Sequence, residues 1–440
     1  MRPPYKYRPL EPDTIRLLRI LPDSQPDDIR CELVHCPNEG IDYSALSYCW
    51  GDPTPAGHIQ VDDQNISVAG NLLRFFVYYI TSAHIRPDMY TFLWIDAVCL
   101  DQANTKEKSA QVNIMWSIYE RASQVTAWLG DVTPPIEKAL SVARALGKFV
   151  GPPSFEPGDR AISVSMEEVE IVRPSCGYRK MDGLLDDVAC LTHHDYFQRM
   201  WTYQELLVAT RGRKACFKTA SSGCSVEELG ILDEALHPLR EEGSVHIGMN
   251  LNLHNLLWDW WVMRLAAQAG KDRPLANKVI RNYLIYTKDR QCLDPRDKVF
   301  ALLGLPDMRS TSTQHGLEAD YTMTTEDILI RALLRYEVLE VRSRPSNSPS
   351  DDVQALERDH KRVNEVAHLL CAALKLDQYA EEFLHYQMRV RAQEKDIGTL
   401  IAHSWVLSHL SIGLDHEAEG GSTFLKAVYR YWQQLIDENT

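Results

Sequence analysis

Nowhere in this 440-residue chain does an apolar run approach the roughly 18 residues a membrane-spanning helix needs. The opening stretch, Met1-Arg-Pro-Pro-Tyr-Lys-Tyr-Arg-Pro-Leu10, lacks the apolar core of a secretory signal. Basic residues are the minority, 47 Lys and Arg against 61 Asp and Glu, for a net charge of −14. That balance argues against a broad surface for nucleic acid or anionic membrane, and neither partner is expected. The ten cysteines are scattered instead of forming a framework, so we expect reduced thiols in a cytoplasmic protein. Gly-x-Gly-x-x-Gly, the phosphate-loop lysine motif, Gly-x-Ser-x-Gly and His-Glu-x-x-His are all missing. There is no fixed-period repeat and no heptad run.

The remaining metal and nucleophile candidates are weak. Cys31-Glu-Leu-Val-His-Cys36 has no second ligand pair nearby. His193 and His194 are adjacent, and neighbouring side chains on a strand or helix point apart, which counts against His193-His194-Asp195. Asp415-His-Glu-Ala-Glu419 reads as an acidic surface loop. Cys99 has no histidine near it in sequence, and a buried thiol is the commoner outcome. No metal is expected. Asn65-Ile66-Ser67 fits a glycosylation sequon, which is incidental without a signal peptide.

What the chain does have is 45% hydrophobic residues and length enough for two or three domains. Thr14–Leu21 and Ile29–Val34 read as strands around a Pro- and Asp-rich turn. Tyr43 opens a strand that runs towards Gly51, and Ile59–Val61 with Ile66–Val68 reads as a hairpin. Asn71 is the expected cap of a helix bearing Leu72, Leu73, Phe76, Val77 and Ile80. Phe92–Ile95 is a short apolar strand that stops at Asp96. Asn104 and Glu107 form a capping-box pattern ahead of a helix with Val112, Met115, Trp116 and Tyr119 on one face. Val125–Leu129 is a further strand, ending at Gly130. Strand, helix, strand, helix, strand with short links predicts a parallel sheet with flanking helices.

A helix follows at about Ile136–Phe149, then an insertion at about 150–185. Tyr196–Ala209 reads as one continuous helix that sets Glu205 among apolar neighbours. Beyond Thr210 the pattern is mainly helical, with helices at Ser225–Leu239, Leu253–Gln268 and Lys278–Tyr286. Asp294-Pro-Arg-Asp-Lys-Val-Phe-Ala-Leu-Leu-Gly304 has Pro295 at a helix start and Gly304 as its C-cap. Thr325 opens another helix, residues 342–352 read as a linker, and the rest reads as helical.

Ligands of open α/β sheets sit outside the carboxyl ends of the strands. Asp52, Asp96, Glu107, Asp131 and Glu205 fall at such ends or on adjoining helices. Carboxylates around a crevice suit stabilisation of a developing positive charge, as in glycosidic cleavage. Among the five, Glu205 stands out: aromatic surroundings would raise its pKa unless Arg199 offsets them.

Leu46-Ser-Tyr-Cys-Trp-Gly51, Leu93-Trp-Ile-Asp-Ala-Val-Cys-Leu-Asp-Gln102, Trp128-Leu-Gly130 and Arg199-Met-Trp-Thr-Tyr-Gln-Glu-Leu206 together resemble the fungal heterokaryon-incompatibility (HET) domain. Glu107, Gln111, Met115, Tyr119 and Ala122 continue the match, and Asp294–Leu305 with Asp320-Tyr321 resembles the family's downstream region. The resemblance implies a flavodoxin-like parallel sheet similar to the Toll/interleukin-1 receptor (TIR) fold, followed by a mainly helical region. With the patterning above, we expect N-terminal strands over 1–42, the domain over 43–215, an associated helical region over 216–341 and a further helical region over 342–440.

A role in fungal non-self recognition and programmed cell death is the expected function. Some TIR domains cleave NAD⁺ with a glutamate in a Trp-Cys-x-x-Glu-Leu pattern, to which Trp201-Thr-Tyr-Gln-Glu-Leu206 is similar. That places the catalytic carboxylate at Glu205, with Ser47, Tyr48, Trp50, Gly51, Asp96 and Trp201 around the nucleotide. NAD⁺ would be substrate; no cofactor is expected. The alternative is a non-catalytic module acting by self-association or through an unknown protein partner.

Overall fold

Tyr43–Tyr48 is buried along almost its whole length, as a strand at the centre of a helix-covered parallel sheet must be. A computed structural model of the chain places it there. The structure describes residues 2–85, 91–151, 164–210, 214–241, 250–268, 280–305, 308, 317–329, 331–332, 365–366 and 368–376. The chain forms two units. The first runs to residue 276 and takes in residues 289–291 and 304–306; the second holds residues 277–288, 292–303 and everything from 307.

The first unit contains β1 (Thr14–Ile20), β2 (Arg30–Pro37), β3 (Tyr43–Tyr48), β4 (Pro55–Val61), β5 (Gln64–Ala69), β6 (Phe92–Trp94), β7 (Gln124–Gly130), β8 (Lys214–Thr219) and β9 (Gly223–Ser225). They form one sheet in the order β5-β4-β2-β1-β6-β3-β7-β8-β9. The four strands β6, β3, β7 and β8 are parallel, with Ser44 opposite Leu93, Ala45 opposite Val125 and Ala127 opposite Phe217. Winding starts at β3, goes to β6 on one side, then crosses to β7 and β8 on the other. Ligands of open parallel sheets sit at such a reversal, which here lies outside the carboxyl ends of β3 and β7. The N-terminal pair β1 and β2 extends the sheet antiparallel from β6, so it is part of the core layer.

Helices of this unit are α1 (Gly70–Ile85), α2 (Asp96–Cys99), α3 (Thr105–Arg121), α4 (Pro134–Val150), α5 (Met166–Val172), α6 (Met181–Thr192), α7 (Asp195–Gln198), α8 (Trp201–Leu207), α9 (Val226–Ala235), α10 (His237–Glu241) and α11 (Leu251–Gln268). Helix α8 packs on β3 and β7, and α1 packs on β4, β5 and β7. Phe75, Tyr78 and Trp128 meet with ring centroids 5.0–5.6 Å apart, joining α1 to the end of β7. Part of the predicted insertion is helical as α5 and α6, while residues 152–163 lie outside the described residues.

Several local expectations are corrected. Asn71 does not cap α1, because the helix starts at Gly70. Its side chain instead accepts from Trp128 Nε1 at 3.1 Å and donates to the Cys49 carbonyl at 2.7 Å. Only half of the Asn104 capping box forms. The Asn104 side chain accepts from Glu107 N at 3.2 Å, but the Glu107 carboxylate turns away to Arg16 and the Asp101 amide. The predicted single helix over 196–209 is broken: Arg199 is extended (φ −78°, ψ 136°) between α7 and α8. The region after 210 begins with strands β8 and β9, which the mainly helical reading missed.

The second unit contains α12 (Ile280–Thr287) and α13 (Asp297–Leu303). Lys298 Nζ donates to the carbonyls of Thr287 and Lys288 at 3.0 and 2.8 Å, closing the C-terminal end of α12. Tyr321 donates to Asp297 at 2.6 Å. Arg296 forks onto Asp294 and reaches the carbonyls of Tyr321 and Met323. The Asp294–Lys298 run and Asp320-Tyr321 are thus one polar cluster. Residues 325–329 and 331–332 are helical, as are 365–366 and 368–373. The 342–352 linker and the segment from 377 onward lie outside the described residues.

Candidate functional site

At the carboxyl end of β3 the strand's inward positions carry polar atoms. Ser47 is fully buried, donates to Glu205 Oε2, and lies 2.7 Å from the Tyr196 hydroxyl. Glu205 sits mid-way along α8 and is 1% exposed. Tyr119, from α3, donates to the Leu46 carbonyl at 3.0 Å, with its hydroxyl beside Glu205. A carboxyl so enclosed is costly to ionise. Burial, with a smaller push from the Asp96 charge, raises its pKa to about 7 against the opposing pull of Arg199 and of the Ser47 and Tyr119 hydroxyls. Burial also holds the Tyr48, Tyr119 and Tyr196 hydroxyls well above the usual phenol range, so all three remain protonated donors.

Asp96 opens α2 directly after β6, and both of its oxygens are engaged. Oδ1 accepts from the Ala97 amide at 2.7 Å; Oδ2 accepts from Trp50 Nε1 at 2.9 Å and lies 3.6 Å from Arg199 Nη2. Its own carbonyl accepts from Gln102 at 2.9 Å. Burial raises the Asp96 pKa in spite of these partners. Arg199 completes the group. It donates to the Tyr48 carbonyl, faces Asp96, and holds its guanidinium 5.4 Å from the centre of the Trp50 ring. Burial alone would lower the Arg199 pKa, but the Asp96 and Glu205 charges carry it above its ordinary value. Arg199 reaches all this because it lies outside the helices on either side of it.

The structure therefore gathers Ser47, Tyr48, Trp50, Asp96 and Glu205 around Arg199. Gly51 follows in an exposed turn with φ +67°, a conformation that favours glycine. Trp201 is half-buried at the first position of α8. Of the five carboxylates singled out, only Asp96 and Glu205 come together. Asp52 is exposed and accepts from the Thr54 amide at 2.9 Å, and Asp131 faces Arg74 at 3.2 Å on the surface. Glu107 forks onto the fully buried Arg16 at 2.5 and 2.9 Å, which holds its pKa below the usual range against the effect of burial. Cys99 is packing: burial pushes its thiol up to about 12.

Sequence reasoning missed Tyr119 and Tyr196 as site residues. Tyr119 looked like the last residue of an apolar helix stripe, and nothing local marks either hydroxyl as facing Glu205. Among the described residues no cluster of three or more His, Cys, Asp or Glu could hold a metal ion, and no helix is long and apolar enough to cross a membrane.

The profile of the family described as heterokaryon incompatibility protein (HET) matches residues 43–205, a span that begins with β3 and ends on Glu205. Heterokaryon incompatibility protein 6 (OR allele) of Neurospora crassa is 27% identical over 344 residues, covering 72% of this chain and 50% of that protein. The chain thus spans about half the length of the curated relative it matches. No solved structure matches the chain significantly. All the residues that meet around Arg199 lie inside the matched span, so the site falls within the part of the chain that is similar to the heterokaryon-incompatibility (HET) family.

Proposed function

We propose that the chain acts in fungal heterokaryon incompatibility, and that its chemistry is cleavage of NAD⁺ to nicotinamide and ADP-ribose at Glu205. The observation that carries the chemical reading is a carboxyl only 1% exposed, hydrogen-bonded by Ser47 beside an Arg199–Asp96 pair, where burial raises its pKa to about 7. The strand order β6-β3-β7-β8 supports a flavodoxin-like, TIR-like sheet, and these groups lie at its reversal point. Ionised Glu205 would orient the nicotinamide ribose and stabilise positive charge at the anomeric carbon as nicotinamide leaves. Ser47, Tyr48, Trp50 and Gly51 would line the nucleotide side, with Asp96 as the opposite wall and Trp201 at the start of the catalytic helix. Fold alone does not carry this step, because one fold hosts many chemistries.

Incubation of the full chain with NAD⁺, dilute and concentrated enough to assemble, tests the reading by nicotinamide release. Release that vanishes in Glu205→Gln supports it; absence of turnover in every assembled state removes it.

One observation favours a second reading. Glu205 is 1% exposed, and its hydrogen bonds are met within the protein. A structural carboxyl in a non-catalytic signalling module would look the same. That module would act by self-association or partner binding in the cytoplasm. It predicts toxicity on expression in a fungal host that survives Glu205→Gln and is abolished by surface changes on α3.

A further inference from the structure

An extended residue between two short helices leaves main-chain groups with no helical partner. At Arg199 these groups are met by a segment 90 residues further along the chain, residues 289–291. Gln291 N donates to the Gln198 carbonyl at 2.5 Å, and Met200 N donates to the Gln291 carbonyl at 2.9 Å, so residue 291 runs beside Arg199 as a one-residue parallel bridge. Arg290 shares the third group with Thr202: the Arg199 carbonyl accepts from Thr202 Oγ1 at 2.8 Å and from Arg290 Nη1 at 3.1 Å, and Nη1 also donates to Thr202 Oγ1 at 3.4 Å. Arg290 Nη2 donates to the Asn252 carbonyl at 2.7 Å, and Asn252 in turn donates to Gln198 Oε1 at 2.8 Å. Its guanidinium lies 4.9 Å from the centre of the Tyr203 ring, and Tyr203 donates to Asp259. Arg290 is 2% exposed.

We infer that Arg290 is a positioning residue for the site, acting through Arg199: with Gln291 it keeps Arg199 extended, so that its guanidinium points to Asp96 and the Tyr48 carbonyl, beside Glu205. Helices of four and seven residues are marginal by themselves, and the local contacts at the break, from Thr202 Oγ1 to the Tyr196 and Arg199 carbonyls at 3.0 and 2.8 Å, leave the Gln198 carbonyl and the Met200 amide to residue 291. The clamp touches Gln198, Arg199, Met200, Thr202 and Tyr203. These are the residues whose placement decides whether the side chains at 199 and 205 reach the end of β3. The burial of a guanidinium on main-chain carbonyls of that loop is costly, and its effect is to fix geometry. Burial holds the Arg290 pKa down to about 10, still charged at neutral pH.

The inference rests on reading Arg199 and Glu205 as one site, but its test requires no turnover. The Glu205 titration is read as the pH-dependent difference in unfolding stability between a chain with Glu205 and the same chain with Glu205→Gln. The charged and titratable groups facing Glu205 are Arg199, Asp96, Tyr48, Tyr119 and Tyr196, of which Arg199 alone favours its ionisation by charge. Loosening Arg199 therefore moves the midpoint upward. We expect Arg290→Met to raise it by about one pH unit, the low end of what an adjacent opposite charge contributes. Arg199→Met should do the same, and the double variant should show no further shift. Arg290→Met that lowers stability but leaves the midpoint in place overturns the inference. If Arg290→Met does not fold, Arg290→Lys decides, since it keeps the charge and loses the forked contacts: a raised midpoint supports the positioning role and an unmoved one removes it. A chain that fails to cleave NAD⁺ but shows the linked shift refutes the proposed reaction and keeps the clamp.

Discussion

Replacing Glu205 by glutamine should make the protein more stable at alkaline pH, the reverse of what removal of a hydrogen-bonded core residue usually does. In the folded chain the Glu205 carboxyl is carried from an ordinary 4.5 to about 7, chiefly by burial. At roughly 1.36 kcal/mol per unit, ionising it in place costs on the order of 3 kcal/mol more than in the unfolded chain. The group is essentially unexposed, so solvent screening discounts little of this. The sign follows from proton binding: between pH 4.5 and about 7 the folded state keeps a proton that the unfolded chain has released. The Glu205 contribution is therefore fully present below 4.5, declines as pH rises, and is lost above about 7. Glutamine imitates the protonated acid and has no such slope. Urea unfolding of both proteins from about pH 5.5 to 8.5 should show the wild type losing about 2 kcal/mol relative to Glu205→Gln across the range. The slope is the test, since a constant offset reflects only amide against acid packing. A flat difference curve would mean that Glu205 ionises like an exposed carboxylate, and the desolvated site would be refuted.

Ser47→Ala removes a hydrogen bond that favours ionised Glu205; it should push the Glu205 midpoint higher and cost roughly 1.5–3 kcal/mol at pH 8, read in the same unfolding series. Arg199→Met leaves Asp96 buried without its cation, which should cost about 3–5 kcal/mol by urea unfolding, with part recovered by Asp96→Asn in the double variant. Arg16→Met should cost a similar amount, about 3–5 kcal/mol. It should also flatten acid sensitivity: the Glu107 pKa is depressed, so its stabilisation is present at neutral pH and lost as pH falls through the folded pKa. Gly304→Ala places a Cβ 2.6 Å from Gln204 Oε1 and 2.7 Å from Trp116 Cβ, so a melting-temperature drop corresponding to about 1–3 kcal/mol is expected. An unchanged melting temperature would show that α3 and α8 yield easily. Gly304 directly follows α13, in the C-cap position that the sequence predicts, but without a positive φ; close approach of side chains is what requires glycine there.

Local pattern alone determines a good deal of this protein. Apolar runs that end in Asp96 or Gly130, with amphipathic stretches between them, dictate strands β3, β6 and β7 and their parallel pairing, because short links with intervening helices leave no other arrangement. The motifs in those strands carry the HET resemblance together with Arg199–Leu206, and it is this last motif that singles out Glu205. Strand β8, with its unremarkable Lys-Ala-Cys-Phe-Lys-Thr, declares itself only by pairing with β7. The site was decided by tertiary structure. Asn71 has a capping residue's chemistry, yet its amide is spent on Trp128 and Cys49, partners 57 and 22 residues away. The Tyr196–Ala209 pattern reads as one helix because apolar periodicity does not register an external competitor for main-chain hydrogen bonds. Residues 289–291 supply that competitor, break the helix at Arg199, and so turn its guanidinium towards Asp96 and the end of β3. Which carboxylates meet, and the pKa that burial imposes on Glu205, depend on contacts made across 46 to 158 residues of chain. A sequence carries the chemical groups and their local spacing; the desolvation that gives Glu205 its character exists only once the chain has closed around it.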